Sequence, residues 1–312
     1  MLERATGDTA PITALVCTAG RPDMVVRSIS SILANTHPLF EVFVVDQSTD
    51  RATADALAPL LADPRVHYVQ STERGKGAAL NTGLAMARTE IVACTDDDCI
   101  VGADWLDSMA AAFAGRPQVA IVFGAVAPVP HDRSRGYVPA YEPRADRLVM
   151  SLRQKASARG IGACMGLRRS AIVALGGFDP GIGPGGTFRA GDDWDIAARA
   201  LIAGYAVFET PSVRVTHDGF RTFEEGRVHA RRDWYGIGAV CAKPVRAGHP
   251  SAALVAAQVF VGDAVWPPVR DLLHLRRPVG IARIVAFAAG FARGLRTPVH
   301  QDTLVFHTRM ND

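Results

Sequence analysis

Residues 90–99 constrain the fold more than any other stretch, because a short apolar run leads directly into three consecutive aspartates. The run, 91–95, is small, apolar and partly β-branched, which indicates a strand buried on both faces of a parallel sheet. Asp96, Asp97 and Asp98 then place negative charge at the carboxyl end of that strand, where open α/β sheets bind ligands. A divalent Mg²⁺ or Mn²⁺ ion arriving with substrate phosphates would relieve the repulsion among them. The alternative is a solvated acidic turn that caps the following helix.

The composition of the chain fits a soluble globular protein, with 312 residues, 48% apolar and 21% charged. This length suits one large α/β domain or two small ones. The net charge of +3 is too small to indicate a nucleic-acid partner. Five scattered cysteines indicate reduced thiols in a cytoplasm rather than a disulfide framework or a zinc site. Residues 1–10 lack an apolar signal core and no apolar run reaches the length of a membrane span, so we expect a cytoplasmic protein.

Strand and helix patterns alternate four times before the aspartates. Strand patterns cover 12–18, 41–46 and 66–69, and helix patterns with apolar residues at 3.6-residue spacing cover 25–33, 53–61 and 77–87. Beyond the aspartates, we expect a helix at 105–114, a strand at 119–126 and a helix at 168–175. This alternation predicts an α/β fold with a right-handed, mostly parallel, Rossmann-like sheet flanked by helices.

A basic, glycine-rich segment, Arg74-Gly75-Lys76-Gly77, opens the third of these helices. Backbone amides at such a helix start can hold a phosphate. The segment matches neither a Walker loop nor a dinucleotide fingerprint. A phosphate cradle and a plain strand-to-helix turn therefore both remain open.

A second group of carboxylates begins another helix, with Asp192, Asp193 and Asp195 around Trp194. Carboxylates in a first helical turn cap free amides and suit the helix dipole. Three of them exceed what capping requires, and the preceding segment, 178–186, is so rich in glycine that we expect a mobile loop. A general base at this position is a second interpretation of the cluster.

The last third of the chain, 220–312, is predicted to be mainly helical. Its most apolar stretches, 252–266 and 279–295, carry arginines, which fits either an ordinary core or a surface that rests on a membrane. Just before this region, the lone His217 fits either a structural role or a ligand.

The motifs, in their order and spacing, resemble family-two glycosyltransferases with the GT-A fold. They are CTAGRP at 17–22, VVDQSTD at 44–50, NTG at 81–83, DDD at 96–98, GFD at 177–179, and GDDWD at 191–195 followed by Arg199 and GY at 204–205. The resemblance covers about residues 11–220. It implies an inverting enzyme that moves a sugar from a nucleoside diphosphate, with UDP as the favoured nucleotide, to a hydroxyl on a glycan, a lipid or a small molecule.

The resemblance also implies roles for individual residues. Residues at the nucleotide sugar would be Thr18, Ala19, Arg21, Asp46, Arg74, Lys76, Asn81, Asp96 and Asp97. Asp98 and His217 would hold the Mg²⁺ or Mn²⁺ ion of the D-x-D motif, and Asp193 or Asp192 would be the catalytic base. The family usually has Glu-Asp where this chain has Asp192-Asp193, so the choice between the two stays open. Leu80 replaces an arginine often found in the family, which leaves any phosphate contact to Arg74 or Lys76.

Three segments follow from these assignments. Residues 1–127 would bind the nucleotide sugar, 128–220 would form the acceptor half of the same domain, and 221–312 would be a helical extension. That extension could contact the inner face of a membrane peripherally. Two other functions remain: a sugar-phosphate nucleotidyltransferase, and a sugar-binding subunit that keeps the fold without turnover.

Overall fold

The computed structural model describes residues 10–307. The strands are β1 (Ile12–Thr18), β2 (Phe40–Asp46), β3 (Val66–Gln70), β4 (Ile91–Asp96), β5 (Cys99–Val101), β6 (Val119–Pro128), β7 (Gly136–Tyr137), β8 (Arg147–Val149), β9 (Cys164–Arg168), β10 (Ala206–His217) and β11 (Arg221–Thr222). The helices are α1 (Pro22–Leu33), α2 (Ala52–Leu57), α3 (Lys76–Met86), α4 (Trp105–Phe113), α5 (Leu152–Lys155), α6 (Arg169–Ala174), α7 (Asp192–Ile202), α8 (Phe223–Arg246), α9 (Ala252–Val259), α10 (Trp266–Leu273) and α11 (Ile281–Arg296). A 3₁₀ turn spans Leu60–Ala62, and a π-helical turn, Phe260–Val265, joins α9 to α10.

The main sheet has the strand order β3-β2-β1-β4-β9-β6-β10-β5, with β8 paired to β10. The first four strands are parallel, as predicted, and their registers are level at the carboxyl ends. Thr18 of β1 lies opposite Asp46 of β2, and Cys17 lies opposite Asp96 of β4. Parallel strands that end together place their following loops at one edge of the sheet, so three predicted site residues reach the same edge.

Strand β9 was not predicted, and it changes the sheet. It runs antiparallel between β4 and β6, where the sequence had indicated only a helix from residue 168. Its five residues, CMGLR, are too few and too irregular to show a strand period. Gly166 is required there, because a Cβ atom would lie 2.3 Å from Met109 Sδ of α4. With β9 in place, strands from both halves of the sequence form one sheet.

Side chains on the two faces of the sheet form two apolar cores. Along β1, Val16 packs with Ile29 of α1 on one face, and Leu15 packs with Leu84 of α3 on the other. Successive strand residues point to opposite faces, so a strand buried on both sides is apolar throughout. The continuous apolar runs of the sequence therefore indicated this layered arrangement correctly.

The C-terminal helices pack on the sheet domain and on each other. Helix α8 lies along α11 so closely that a Cβ on Gly290 would come within 1.9 Å of Tyr235 O. Helices α9 and α10 join into one 22-residue helix, Ala252–Leu273, which is long and apolar enough to cross a membrane by length and composition alone. Its apolar residues are interrupted by Asp263, Arg270 and Asp271, so no uninterrupted apolar run of that length occurs within it. One face of α9, with Val255 and Val259, is buried against this domain.

Candidate active site

The three aspartates at the end of β4 have different partners. Asp96 forms an ion pair with Lys76. Asp97 accepts hydrogen bonds from Thr18 Oγ1 at 2.7 Å and from Arg21 at 3.0 Å. Asp98 also accepts from Arg21, at 3.1 Å. Side chains from β1, its following loop and α3 therefore contact the triplet, and three of the predicted nucleotide-sugar residues, Thr18, Arg21 and Lys76, surround it.

His217 reaches Asp98 from the far end of the sheet. Antiparallel pairing of β10 with β5 sets His217 opposite Cys99, and its Nε2 lies 3.4 Å from Asp98 Oδ1. Burial opposes ionisation of Asp98, yet the bond from His217 and the charge of Arg21 lower its pKa below the ordinary value. Burial disfavours charge on His217 too, but Asp98 raises the pKa of the imidazole. The pair is therefore held as a carboxylate beside an imidazole of raised basicity.

The donor atoms around Asp98 fit a hard divalent cation. The ligand atoms of Asp98, Cys99 and His217 lie within 4.8 Å of one another. Burial raises the pKa of the Cys99 thiol far above neutrality, so it stays protonated and leaves the carboxylate and the imidazole as ligands. His217 Nδ1 lies 2.8 Å from the carbonyl of Pro139, a partner that fixes the ring and leaves Nε2 for a metal. The carboxylate oxygens of Asp98 suit Mg²⁺ or Mn²⁺, and the imidazole adds a nitrogen donor.

Asp46 lies beneath the cleft rather than in it. It is fully buried, with Oδ1 accepting from the amide of Ser48 at 2.9 Å and Oδ2 accepting from the hydroxyl of Tyr68 at 2.7 Å. Ser48 Oγ in turn accepts from the amide of Gly20 at 2.8 Å, which fixes the loop that carries the exposed Ala19. Asp46 thus positions the loop after β1, and its contact with a nucleotide base stays a prediction.

Asn81 does not join the aspartates. Its Nδ2 donates to the carbonyl of Phe178 at 2.9 Å, and its Oδ1 accepts from the Phe178 amide at 2.7 Å. Both ends of the side chain are therefore used to anchor the glycine-rich loop 178–186. Among the other predicted phosphate contacts, Arg74 is exposed beside the site and Lys76 is within it.

The glycine-rich loop is held by hydrogen bonds at several points, and its mobility stays a prediction. Asp179 Oδ1 accepts from the Gly181 amide at 2.9 Å, and the Phe188 amide donates to the Gly181 carbonyl at 2.8 Å. The Lys76 amide donates to the Pro184 carbonyl at 2.9 Å, so the loop also packs on the start of α3. Glycine has no Cβ atom, which allows the backbone to pack this closely. The glycine content by itself had suggested a flexible loop.

The second acidic cluster meets the first at Lys76. Asp193 Oδ2, at the start of α7, accepts from the Gly162 amide at 3.1 Å. A Cβ on Gly162 would lie 3.7 Å from Lys76 Nζ and 4.0 Å from Asp193 Oδ2, so both side chains border one point. Burial and the neighbouring Asp193 raise the pKa of Asp192 to about 7, against the attraction of Lys76. The carboxylates of Asp96 and Asp192 are therefore both attracted to the ammonium group of Lys76.

Asp195 belongs to the core rather than to the cleft. It pairs with Lys243 of α8 at 2.5 Å and with Arg199 at 2.9 Å, and Lys243 also pairs with Asp179 at 2.6 Å. All four side chains are almost completely buried. The sequence analysis missed Lys243, although a single lysine inside the apolar run 239–245 was a usable signal.

A second buried lysine, also missed, lies beneath the start of α7. Lys155 Nζ donates to the Ala158 carbonyl at 2.6 Å and lies 5.8 Å from the ring centre of Trp194. Burial lowers its pKa to about 8, although Asp193 and Glu209 act in the opposite direction. No sequence pattern distinguished it from the surface lysines and arginines nearby.

Comparison with known proteins concerns the family of the chain as a whole. The sequence profile of glycosyl transferase family 2 matches residues 13–176. The succinoglycan biosynthesis protein ExoO of Rhizobium meliloti is 37% identical over 99 residues, which cover 31% of this chain and 28% of that protein. The pre-mycofactocin glycosyltransferase of Mycobacterium tuberculosis is 31% identical over 191 residues, covering 59% and 37%. The chain thus matches about a third of the length of these relatives.

Among solved structures, the mannosyltransferase PcManGT of Pyrobaculum calidifontis, in complex with GDP-Man and Mn²⁺, has a similar fold. The TM-score is 0.61 over 95% of this chain and 78% of that one, at 23% sequence identity. Sequence identity at this level supports a similar fold and nothing more specific. The predicted GT-A fold, a mixed α/β sheet flanked by helices, is confirmed.

Proposed function

The chain belongs to glycosyl transferase family 2, and from that premise we propose that it transfers a sugar from a nucleoside diphosphate to an acceptor hydroxyl, with inversion at the anomeric carbon. One observation carries the proposal. Lys76 lies between the carboxylates at the end of β4 and those at the start of α7, so a charged donor site and a candidate base border the same point of the cleft.

The donor would bind at the aspartate triplet. Arg21 and Lys76 already compensate the carboxylates, and the exposed Arg74 adds positive charge beside them. Such side chains suit the diphosphate of a UDP-sugar or a GDP-sugar. Asp98 and His217 would hold Mg²⁺ or Mn²⁺, which as a Lewis acid stabilises the charge of the departing diphosphate.

The base would be Asp193. It would remove the proton from the acceptor hydroxyl as the oxygen forms a bond to the anomeric carbon, while the bond from that carbon to the diphosphate oxygen breaks. The nucleoside diphosphate leaves with the electron pair. Asp193 accepts from the Gly162 amide at Oδ2 and from the Trp194 amide at Oδ1, and each carboxylate oxygen can accept a further hydrogen bond. Asp192 is the alternative base, since its pKa of about 7 also suits that role.

The proposal is tested by incubating the full chain with UDP- and GDP-sugars, with Mn²⁺ or with EDTA, and following release of nucleoside diphosphate. We expect release with one nucleotide class, dependent on the metal, and a β-linked product from an α-linked donor by NMR. A retained anomeric configuration would contradict the inverting mechanism, and metal-independent release would contradict the metal role. Binding of donors without any turnover on glycan, lipid or small-molecule acceptors would favour a non-catalytic sugar-binding subunit.

Nucleotidyl transfer is disfavoured by the first loop of the structure. That chemistry calls for a glycine-rich, basic loop after the first strand, and the loop after β1 offers only Gly20 and Arg21. Release of pyrophosphate from a nucleoside triphosphate and a sugar phosphate would reverse this conclusion. We place the reaction in the cytoplasm, because the five cysteines of the described chain are free thiols, as is usual in a reducing compartment.

A further inference from the structure

The turn between α10 and α11 exposes more apolar surface than any ordinary turn requires. We call residues 272–281 the apolar tip. Leu273 is 69% exposed, Leu275 is 98% exposed and Val279 is 68% exposed, and Leu272 and Ile281 are exposed beside them. Within α10, only Pro268 is buried, so this helix leads away from the domain. Surface apolar residues are ordinary when scattered, whereas a cluster of five in ten residues marks an interaction site.

Leu275 is unfavourable in two ways at once. Its φ angle is +54°, in the left-handed region that disfavours residues with a Cβ atom. The position ends α10 with hydrogen bonds from the Leu275 amide to Leu272 O and from the Arg276 amide to Asp271 O, a motif in which glycine is usual. No part of the described chain covers the Leu275 side chain, so burial against an apolar partner outside the chain would stabilise it.

Positive charge surrounds the apolar tip. Arg270, Arg276 and Arg277 are exposed beside it, and Arg283 follows in α11. The sole acidic residue from 264 to 285 is Asp271, and its carboxylate accepts from the Val279 amide at 3.2 Å. Exposed leucines flanked by arginines complement a surface that is apolar inside and anionic at its face.

We propose that the apolar tip inserts into the interfacial region of an anionic lipid bilayer, with the leucines below the headgroups and the arginines on the lipid phosphates. In the proposed arrangement the helix Ala252–Leu273 does not cross that bilayer, because one face of α9 packs on the domain and Asp263 pairs with Arg159 before α10 begins. The inference is independent of the proposed reaction, since it concerns a surface that none of the site residues shares.

The test uses the full chain and vesicles of phosphatidylcholine, with and without phosphatidylglycerol, in a co-sedimentation assay. We expect binding to the anionic vesicles that weakens with salt. Leu272→Ser with Leu273→Ser should weaken it by at least about tenfold, since each inserted leucine contributes on that scale. Arg276→Gln with Arg277→Gln should reduce the difference between the two vesicle types, because two of the four arginines beside the tip are removed. Leu39→Ser, at a leucine 53% exposed elsewhere on the surface, is the matched control and should bind like the wild type.

Leu275→Gly separates the proposal from a structural role. Glycine removes the strain and the apolar side chain together, so we expect weaker vesicle binding with a Tm that is unchanged or about 2 °C higher. Equal binding by the wild type and the tip variants would overturn the proposal, as would failure of the wild type to bind anionic vesicles. Light scattering that shows a dimer without vesicles, lost in the tip variants, would instead assign the apolar tip to a second copy of the chain.

Discussion

The two acidic clusters look alike in the sequence and differ in the structure. Each has three aspartates within four residues, at 96–98 and at 192–195. All three members of the first lie at the cleft and are compensated there by Thr18, Arg21, Lys76 and His217. The second divides, because Asp192 and Asp193 face the cleft while Asp195 is buried in an ion-pair network.

Backbone geometry explains the difference. The first cluster ends a strand and turns, so its members share one edge of the sheet. In an α-helix, residues two apart are rotated by about 200°, so Asp193 and Asp195 project to opposite sides of α7. The side of α7 that carries Asp193 faces the cleft, and the side that carries Asp195 contacts Lys243. Equal local charge is therefore gathered at the cleft in one place, and divided between the cleft and a buried anchor of the helix in the other.

The largest expected effect comes from breaking the buried half of the second cluster. Lys243→Met leaves Asp179 and Asp195 without their shared cation, and uncompensated buried charges should lower the free energy of unfolding by about 3–5 kcal/mol. Urea denaturation measures this change. The control is Arg51→Met, whose exposed pair with Asp55 should change stability by less than about 1 kcal/mol. Equal effects of the two variants would mean that the network does not anchor α7.

The half of the second cluster that faces the cleft should control turnover instead of stability. Asp193→Asn should reduce kcat by about a hundredfold or more, because the acceptor loses its base, while the donor KM changes little. Steady-state kinetics of sugar transfer measures both. Asp192→Asn should reduce kcat distinctly less. A reversed order would move the base to Asp192, and normal turnover in both variants would rule out this mechanism.

The first cluster should control donor binding. Asp98→Asn should remove the metal dependence of nucleoside diphosphate binding and weaken it by about tenfold with Mn²⁺ present, since the cation loses its carboxylate. Calorimetry with Mn²⁺ and with EDTA measures the effect. Asp218→Asn alters a neighbouring carboxylate that pairs with the exposed Arg27, and serves as the control. Equal affinity of the wild type with and without EDTA is the result that contradicts a metal site.

The smallest effect expected is a shift in pH dependence. Burial and Asp193 raise the pKa of Asp192 to about 7, so we expect the kcat profile to have an acid limb near that pH. Asp192→Asn should move the limb to lower pH. Because the folded state favours the protonated acid, its stabilising contribution is full below the unfolded pKa and is lost as the pH rises to about 7. The Tm advantage of the variant should therefore grow from pH 4 to 7 and then stay constant; a pH-independent difference would count against the shift.

The sequence by itself determined the layered α/β core and the edge at which the aspartates lie. Strands β1, β2 and β4 are continuous apolar runs that end in polar residues, and parallel strands of this kind must be covered on both faces and end together. Local pattern also located the start of α7, where glycine precedes three carboxylates. These features depend on neighbours in the chain, which is why periodicity and turn chemistry predicted them.

Tertiary structure alone decided which polar groups meet. The short antiparallel β9 has no period to read, yet it joins the two halves of the sheet in which His217 reaches Asp98. Asn81 looked like a ligand contact and instead holds Phe178, 97 residues away in sequence. Lys243 was marked only by its place in an apolar run, and no pattern indicated its partners Asp179 and Asp195. Contacts of this kind depend on packing across distant segments, and the free energy that selects them is not encoded in any local pattern.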